Sequence, residues 1–245
     1  MSKHSNTLKT GLSKKAEKPD FHVEFIVRIY DDVMAVSKQS GFSWLFMLAQ
    51  SAEETGWGAN VRHGTNNIFN IKADKSHKGK TVIVPGALEQ RRKANDTIET
   101  YHEKSAFCVY GSYSESIWHW LIFLESNPRY HGIGKREDGQ PFINIFDPAI
   151  KGDLEKLANA LEHDGYATDK GGYANKIIEV ARCRTMRRAL AEVEKRKLQK
   201  HTAQATLGSV PQRNNDPASI RDRWWVWDSN NFDDGLADRW KNMLP

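Results

Sequence analysis

The sequence is poor in cysteine and has no long apolar segment. Its 245 residues include two cysteines, Cys108 and Cys183, without the paired spacing of a zinc site or a disulfide scaffold. We interpret both as ordinary, partly buried thiols. No apolar run approaches the roughly 20 residues that a membrane-spanning helix needs, so the sequence predicts no integral membrane association.

Several functional signals are also absent. The first 20 residues are basic and polar and lack the apolar centre of a secretory signal peptide. The nine histidines show no HExxH or similar metal spacing. No nucleic-acid module organises the basic run at 91–93, and no internal repeat is present. The sequence therefore predicts no metal, no cofactor and no nucleic-acid partner.

The charge balance favours an anionic partner. A formal net charge of +5 and a pI near 9.1 suit an acidic polymer such as nucleic acid, a membrane surface or a bacterial wall. Charge alone does not choose among these three.

Hydrophobic patterning divides the chain into three parts. Residues 1–20 contain five lysines and no regular period, which predicts a flexible basic arm. Apolar residues at three- and four-residue spacing predict helices over much of 21–187, the main domain. Residues 188–245 form a C-terminal extension: a charged helix continuing outward, a linker and a tail that holds four of the eight tryptophans.

Short β-prone runs interrupt the helical pattern. They lie at 81–84, 97–101 and 107–110 and are separated by polar segments. We interpret them as a small antiparallel hairpin lobe.

The segment AEETGWG places two carboxylates at the end of a predicted helix. Gly56 and Gly58 stop the helix just after Glu53 and Glu54. The carbonyl end of a helix disfavours negative charge and so favours a protonated acid. Hydrolysis of a glycosidic bond needs such a proton donor.

The wider segment LAQSAEETGWGANVRHGTNNIFNIKA resembles the signature of glycoside hydrolase family 73, the glucosaminidase family of flagellar peptidoglycan hydrolases and autolysins. The resemblance covers about residues 21–185. It puts Glu54, not Glu53, in the catalytic position, and Asn70 where the family usually has glycine. It implies an α+β, mainly helical, lysozyme-like domain with a small antiparallel β-hairpin lobe flanking the active-site cleft.

The resemblance also implies further site residues. The second carboxylate would be Glu89, with Glu99 as the competitor, and the Tyr173 hydroxyl would orient substrate or water. The candidates for substrate binding are Trp57, Asn66, Asn67, Phe69, Lys72, Tyr130 and Tyr166. Most have a structural alternative: Trp57, Phe69 and Tyr130 as core, and the asparagines and Lys72 as partners of loop backbone.

The implied activity is an endo-β-N-acetylglucosaminidase that cleaves the β-1,4 bond between N-acetylglucosamine and N-acetylmuramic acid in peptidoglycan. An inverting reaction and one assisted by the substrate's acetamido group both stay open. The alternatives are a lytic transglycosylase, or a noncatalytic wall-binding or assembly protein that retains the fold.

The biological setting is a separate expectation. A wall-degrading domain without an ordinary signal peptide suggests action in the periplasm or cell wall after delivery by a secretion system, a phage or flagellar export. An antibacterial effector of type VI secretion is favoured. Residues 132–153, an apparent loop insertion, or the tail at 219–245 could then bind an immunity protein or a structural partner.

Overall fold

The computed structural model describes residues 20–73, 77–93, 97–167 and 172–207. The predicted basic arm, except Asp20, and the tryptophan-rich tail lie outside the described residues. The described part is mainly helical, with one two-stranded antiparallel sheet. That architecture confirms the predicted fold class.

The first two helices carry the motif region. Helix α1 spans Phe21–Ser40, begins at the N-cap Asp20 and ends at Gly41, whose φ of 74° is the left-handed conformation typical of a C-cap glycine. Helix α2 spans Trp44–Thr55, begins at the N-cap Ser43 and ends at Gly56 with φ 56°. A side-chain N-cap and a C-cap glycine therefore delimit each helix, and Gly56 ends α2 as the sequence predicts.

The hairpin is longer than the sequence predicts. Strand β1 spans Thr81–Arg92 and pairs with β2, Ile98–Cys108, with an irregularity between Val84 and Ala87 where Gly86 has φ 69°. The separate β-prone runs at 97–101 and 107–110 join in one strand. Backbone hydrogen bonds continue through the polar residues, because a two-stranded ribbon exposed to solvent does not need apolar residues along its whole length.

The remaining helices follow the hairpin. They are α3 (Tyr113–Glu125), a 3₁₀ turn (Pro128–Tyr130), α4 (Pro148–Lys151), α5 (Leu154–His163), α6 (Tyr173–Arg182) and α7 (Arg184–Leu207). Among the helices of the described residues, none has the length and apolar character needed to cross a bilayer.

Helix α2 lies at the centre of the domain. It contacts α1 on one side and α5 and α6 on the other, and α1 also packs against α3 and α7. The side chains of Phe46, Met47 and Leu48 are fully buried. The helix that carries the two candidate carboxylates is thus held by neighbours on several sides, which fixes its C-terminal end.

Helix α7 packs against the domain over its first half before it continues outward. Met186, Ala189 and Val193 lie on its buried face, and the Arg196 guanidinium pairs with the Glu24 carboxylate of α1. The sequence interpretation missed this face because charged residues surround a narrow apolar stripe. The boundary at residue 188 falls inside α7, so the domain extends at least to Val193.

The segment 132–153 is an ordered excursion. Isolated β-bridges join His131 to Asn144 and Lys135 to Pro141. The Ile143 amide donates to the buried Asp164 carboxylate at 3.0 Å, which fixes the base of the excursion against the end of α5. Between the two bridges, Ile133 keeps 60% of its surface accessible.

Candidate active site

Glu54 stands in the last turn of α2, where the predicted proton donor was expected. Glu53 is exposed, whereas Glu54 is half-buried. Gly56 takes the left-handed cap conformation, and its N–H bonds to carbonyls of the last helical turn. The two adjacent glutamates therefore occupy different environments, and only the second faces the protein interior.

Burial raises the pKa of Glu54 to about 7, and the neighbouring Glu53 carboxylate contributes to the rise. Desolvation penalises the charged form of a carboxyl group, and a second negative charge adds to that penalty. A carboxyl with this pKa is largely protonated at slightly acidic pH and can release its proton near neutrality. These are the properties of a general acid.

Gln50 holds the Glu54 carboxyl from one turn earlier in α2. Its Nε2 donates to Glu54 Oε1 at 3.1 Å and to the Tyr166 hydroxyl at 3.1 Å. The Tyr173 hydroxyl donates to Gln50 Oε1. Gln50 is fully buried, so its amide is fixed by partners on both ends. Two of the predicted site tyrosines thereby connect to Glu54 through one side chain.

Trp120 adds a rigid aromatic wall to this network. Its indole N–H donates to the Tyr166 hydroxyl at 2.9 Å. Its ring stacks on Phe69, with centroids 5.0 Å apart, and on Phe46, with centroids 6.0 Å apart. Phe69 is buried, so its place in the structure is the core behind the site. This agrees with the structural alternative given for the aromatic residues.

Asn70 stands where the family signature has glycine and takes a left-handed conformation. Its φ is 49°, a left-handed conformation that asparagine tolerates better than most residues with a side chain. The Asn70 amide donates to the Glu54 backbone carbonyl, and its Oδ1 accepts from Arg62 Nη1 at 3.1 Å. The departure from the signature thus adds a contact that secures the end of α2.

Asn66 and Asn67 bind loop backbone. Asn66 donates to the Tyr110 carbonyl at 3.0 Å. Asn67 is buried, donates to the carbonyls of Ile71 and Cys108 at 2.9 and 3.1 Å, and accepts from the Ile71 amide. These bonds fasten the signature loop to the end of β2. They account for both asparagines by the structural alternative, and substrate contact stays a prediction.

The other predicted binding residues lie at different depths. Trp57 has φ 58° and is partly buried, with its ring edge-on to His22 at 5.6 Å. Tyr130 is buried, its centroid lies 6.4 Å from that of Tyr166, and burial raises its pKa to about 12. Lys72 is exposed and forms an isolated backbone bridge with Phe107. Tyr130 is therefore a buried neighbour of Tyr166, whereas Lys72 lies at the protein surface.

Comparison with known proteins decides the family. The glucosaminidase family model, described as mannosyl-glycoprotein endo-beta-N-acetylglucosaminidase, matches residues 30–184. The chain belongs to the glucosaminidase family. This match confirms the family resemblance seen in the sequence.

Two curated relatives are similar to this chain over part of their length. Peptidoglycan hydrolase FlgJ of Vibrio cholerae is 33% identical over 171 residues, which are 66% of this chain and 43% of the relative. FlgJ of Salmonella typhimurium is 30% identical over 162 residues, 64% of this chain and 44% of the relative. The chain thus spans less than half the length of these curated relatives.

Two solved structures resemble the fold. The glycoside hydrolase domain of Salmonella typhimurium FlgJ has a TM-score of 0.50 at 25% identity and covers 74% of this chain and 98% of its own. A peptidoglycan hydrolase mutant from Sphingomonas sp. A1 has a TM-score of 0.54 at 26% identity and covers 69% of this chain and 99% of its own.

The hairpin of the glucosaminidase domain carries both candidates for the second carboxylate. In the strand register, Glu89 pairs with Tyr101 and Arg91 pairs with Glu99. Positions 89 and 99 therefore belong to the same alternating set, and strand alternation does not choose between them. Glu99 forms an ion pair with Lys93 at 3.1 Å. The preference for Glu89 stays a prediction, because its side chain lies outside the described parts.

Gln50 and Trp120 are the functional neighbours that sequence reasoning missed. Gln50 stands four residues before Glu54, so it shares a face of α2 with the catalytic candidate. It is also a polar residue within an apolar helix face, which is a signal that could have identified it. Trp120 gives no comparable signal, because an apolar residue on a helix predicts core.

The described residues contain one group able to hold a metal ion: His77, Cys108 and His119, at the base of the hairpin. Local spacing in the sequence does not reveal this group, because its members are far apart along the chain. It does not include Glu54 or Gln50.

Proposed function

We propose that this protein is an endo-β-N-acetylglucosaminidase of peptidoglycan in which Glu54 is the general acid. The observation that carries the proposal is the half-buried Glu54 carboxyl with its pKa raised to about 7. The names of the FlgJ relatives support peptidoglycan as the substrate. The bond would be the β-1,4 linkage between N-acetylglucosamine and N-acetylmuramic acid.

The first step would be proton transfer from Glu54 to the glycosidic oxygen. As the bond to the N-acetylglucosamine C1 breaks, positive charge develops at that carbon, and the new hydroxyl leaves with the N-acetylmuramic acid. Gln50 Nε2, which donates to Glu54 Oε1, stabilises the carboxylate that remains. Tyr173 and Tyr166 fix Gln50, so they act as positioning residues.

Water then attacks the sugar carbon. Glu89 would activate that water in an inverting reaction, or the substrate's acetamido group would assist. The matched variants Glu89→Gln and Glu99→Gln separate the candidates on the hairpin. A loss of hydrolysis in Glu89→Gln alone supports Glu89, and a loss in Glu99→Gln alone transfers the role to Glu99.

Product analysis tests the bond and the reaction type together. Purified peptidoglycan is digested, reduced with borohydride and analysed by mass spectrometry. Reduced N-acetylglucosamine ends are expected. Reduced muramic acid ends would contradict the proposed bond, and anhydromuramic acid ends would show a lytic transglycosylase. An absence of new ends would support the noncatalytic wall-binding alternative.

We also propose that the protein is an antibacterial effector and that the excursion at 132–153 binds an immunity protein. The exposed apolar side chain of Ile133, which lies between the two β-bridges of the excursion, supports this contact. Ile133→Asp should reduce recovery of the immunity protein in a pull-down, with the exposed Leu198→Asp as control. Equal recovery with both variants would exclude the excursion as the contact.

A further inference from the structure

Three side chains with metal-binding atoms converge at the base of the hairpin. His77 precedes β1, Cys108 is the last residue of β2, and His119 lies on α3. One ligand atom from each residue lies within 4.8 Å of the other two. The Cys108 side chain is fully buried, and both histidines are half-buried. The cluster therefore links the two ends of the hairpin to the helical part of the domain.

The distance between Cys108 and His77 is close to that of two ligands of a tetrahedral zinc ion. Cys108 Sγ and His77 Nδ1 are 3.7 Å apart. With Zn–S of about 2.3 Å and Zn–N of about 2.0–2.1 Å, tetrahedral geometry puts sulfur and nitrogen about 3.5–3.6 Å apart. A small adjustment would thus place both atoms in coordination distance of one ion.

The second nitrogen of each imidazole has an oxygen partner. His77 Nε2 lies 3.4 Å from the Lys80 carbonyl oxygen, and His119 Nδ1 lies 2.6 Å from the Tyr110 hydroxyl. Metal-bound histidines commonly donate their other N–H to an oxygen, which fixes the tautomer and the ring orientation. His77 Nδ1, which lies 3.7 Å from Cys108 Sγ, is thus the nitrogen of its ring available to a metal. For His119, the contact of Nδ1 with Tyr110 leaves Nε2 as the nitrogen that would bind a metal.

We propose that His77 Nδ1, Cys108 Sγ and His119 Nε2 bind one zinc ion. A water molecule would fill the fourth position. The Cys108 thiol releases its proton to solvent as the thiolate binds. One thiolate and two imidazoles form a donor set that suits zinc, whereas magnesium and calcium prefer oxygen ligands.

The zinc ion would fasten the hairpin to α3. The Cys108 backbone already bonds to the signature loop, through its N–H to the Ile71 carbonyl and through its carbonyl to Asn67. A metal at the Cys108 side chain would add His119 of α3 to this junction. Its role is structural, at the root of the lobe that carries Glu89, and it does not depend on the proposed glucosaminidase reaction.

Cobalt binding to the untagged full-length protein tests the site. After treatment with a chelator, Co²⁺ should produce a thiolate-to-cobalt charge-transfer band at one equivalent, and one equivalent of Zn²⁺ should remove it. Zn²⁺ should also raise the thermal unfolding midpoint. Cys183→Ser is the matched control, because it removes the other cysteine, and it should keep the band.

Variants of the ligands complete the test. Cys108→Ser should lose the band, and His77→Gln and His119→Gln should each weaken Zn²⁺ binding at least about tenfold. Should Cys108→Ser fail to fold, the half-buried His119→Gln carries the same test. An absence of the band in the wild type, or equal zinc affinity in both histidine variants and the wild type, would show only a thiol–imidazole hydrogen bond and overturn the proposal.

Discussion

Among single residues, Glu54 and its neighbour Glu53 show how burial changes the acidity of a carboxyl group. The two carboxyls share a helix turn, yet one is exposed and the other half-buried. Desolvation is the main reason that the pKa of Glu54 rises to about 7. The burial that raises this pKa is therefore the property on which the proposed role of Glu54 as a proton donor depends.

This raised pKa predicts a pH dependence of stability. The folded protein holds the Glu54 proton more tightly than the unfolded chain, whose carboxyl titrates near 4.5. The stability from the neutral acid is thus fully present below that pH and is lost as the pH rises through about 7. We expect Glu54 to lower the free energy of unfolding by on the order of 2 to 3 kcal/mol between acidic and mildly alkaline pH.

Urea unfolding of wild type and Glu54→Gln at about pH 5 and about pH 8 measures this effect. The variant should not lose stability through this group as the pH rises, and it should therefore be the more stable protein at the alkaline pH. Parallel changes in the two proteins would show that Glu54 has an ordinary pKa.

Gln50 should act as a positioning residue for Glu54. Gln50→Leu removes a donor to the carboxylate, and a hydrogen bond to a charged group contributes about 1.5–3 kcal/mol. We expect kcat to fall roughly 10- to 100-fold. The alkaline limb of the activity profile should also move to higher pH, because loss of the donor raises the pKa of Glu54.

Tyr173→Phe is the control for Gln50, since it removes one partner of the Gln50 amide and retains the ring. It should lower kcat less and leave the alkaline limb nearer its original place. If Gln50→Leu kept both the wild-type kcat and the wild-type limb, a positioning role would be excluded.

The sequence could predict the position of Glu54 at a helix end but not the network that holds its carboxyl. Glu54 follows from a contiguous motif at a helix end. Gln50 finds its tyrosine partners 116 and 123 residues away in the chain. Contacts of that separation depend on how α5 and α6 pack against α2, and no local pattern encodes them.

At the scale of elements, the exit from α2 depends on two glycines. Gly58 has φ 84°, and a Cβ there would lie 2.3 Å from Phe25 Cδ2. Gly58 thus allows the chain to turn and to approach α1 closely. Its place in the motif has a packing reason in addition to its conformational one.

Gly58→Ala should therefore destabilise the domain more than Gly64→Ala. Gly64 has φ 75°, and no neighbouring atom of the described residues lies within 4 Å of where a Cβ would stand, so it isolates the backbone strain of about 1–2 kcal/mol. The clash with Phe25 should add about 1–3 kcal/mol at Gly58. Thermal unfolding of both variants measures the difference, and equal losses would refute the close approach to α1.

The elements differ in how far the sequence predicts them. The bounds of α2 and α3 follow from caps and apolar period. The strands of the hairpin are longer than the β-prone runs in the sequence, because backbone hydrogen bonds between the strands continue through charged residues such as Arg91 and Glu99. Helix α7 was predicted as a helix, but its contact with α1 depends on tertiary packing that a mostly charged segment conceals.

For the whole molecule, the position of α7 decides where the domain ends. Val193 keeps 4% of its surface accessible, whereas Leu198, five residues further along the same helix, keeps 69%. The helix is thus part of the core in its first half and exposed beyond it. Residues 208–245 lie outside the described residues, and the extension there stays a prediction.

Val193→Ala should lower the free energy of unfolding by about 1–2 kcal/mol, because it removes buried apolar surface. Leu198→Ala, on the exposed face, should stay within about 0.5 kcal/mol of the wild type. Chemical denaturation of both variants is the measurement. A negligible loss in Val193→Ala would place the domain boundary before α7 after all.

The central claim concerns which of two adjacent glutamates performs the chemistry. The decisive measurement is the rate of new reducing ends released from purified peptidoglycan by wild type, Glu54→Gln and Glu53→Gln. Loss of a general acid should lower the rate about 10²- to 10⁴-fold in Glu54→Gln, while Glu53→Gln should retain most of it. Wild-type release by a folded Glu54→Gln protein would contradict the account.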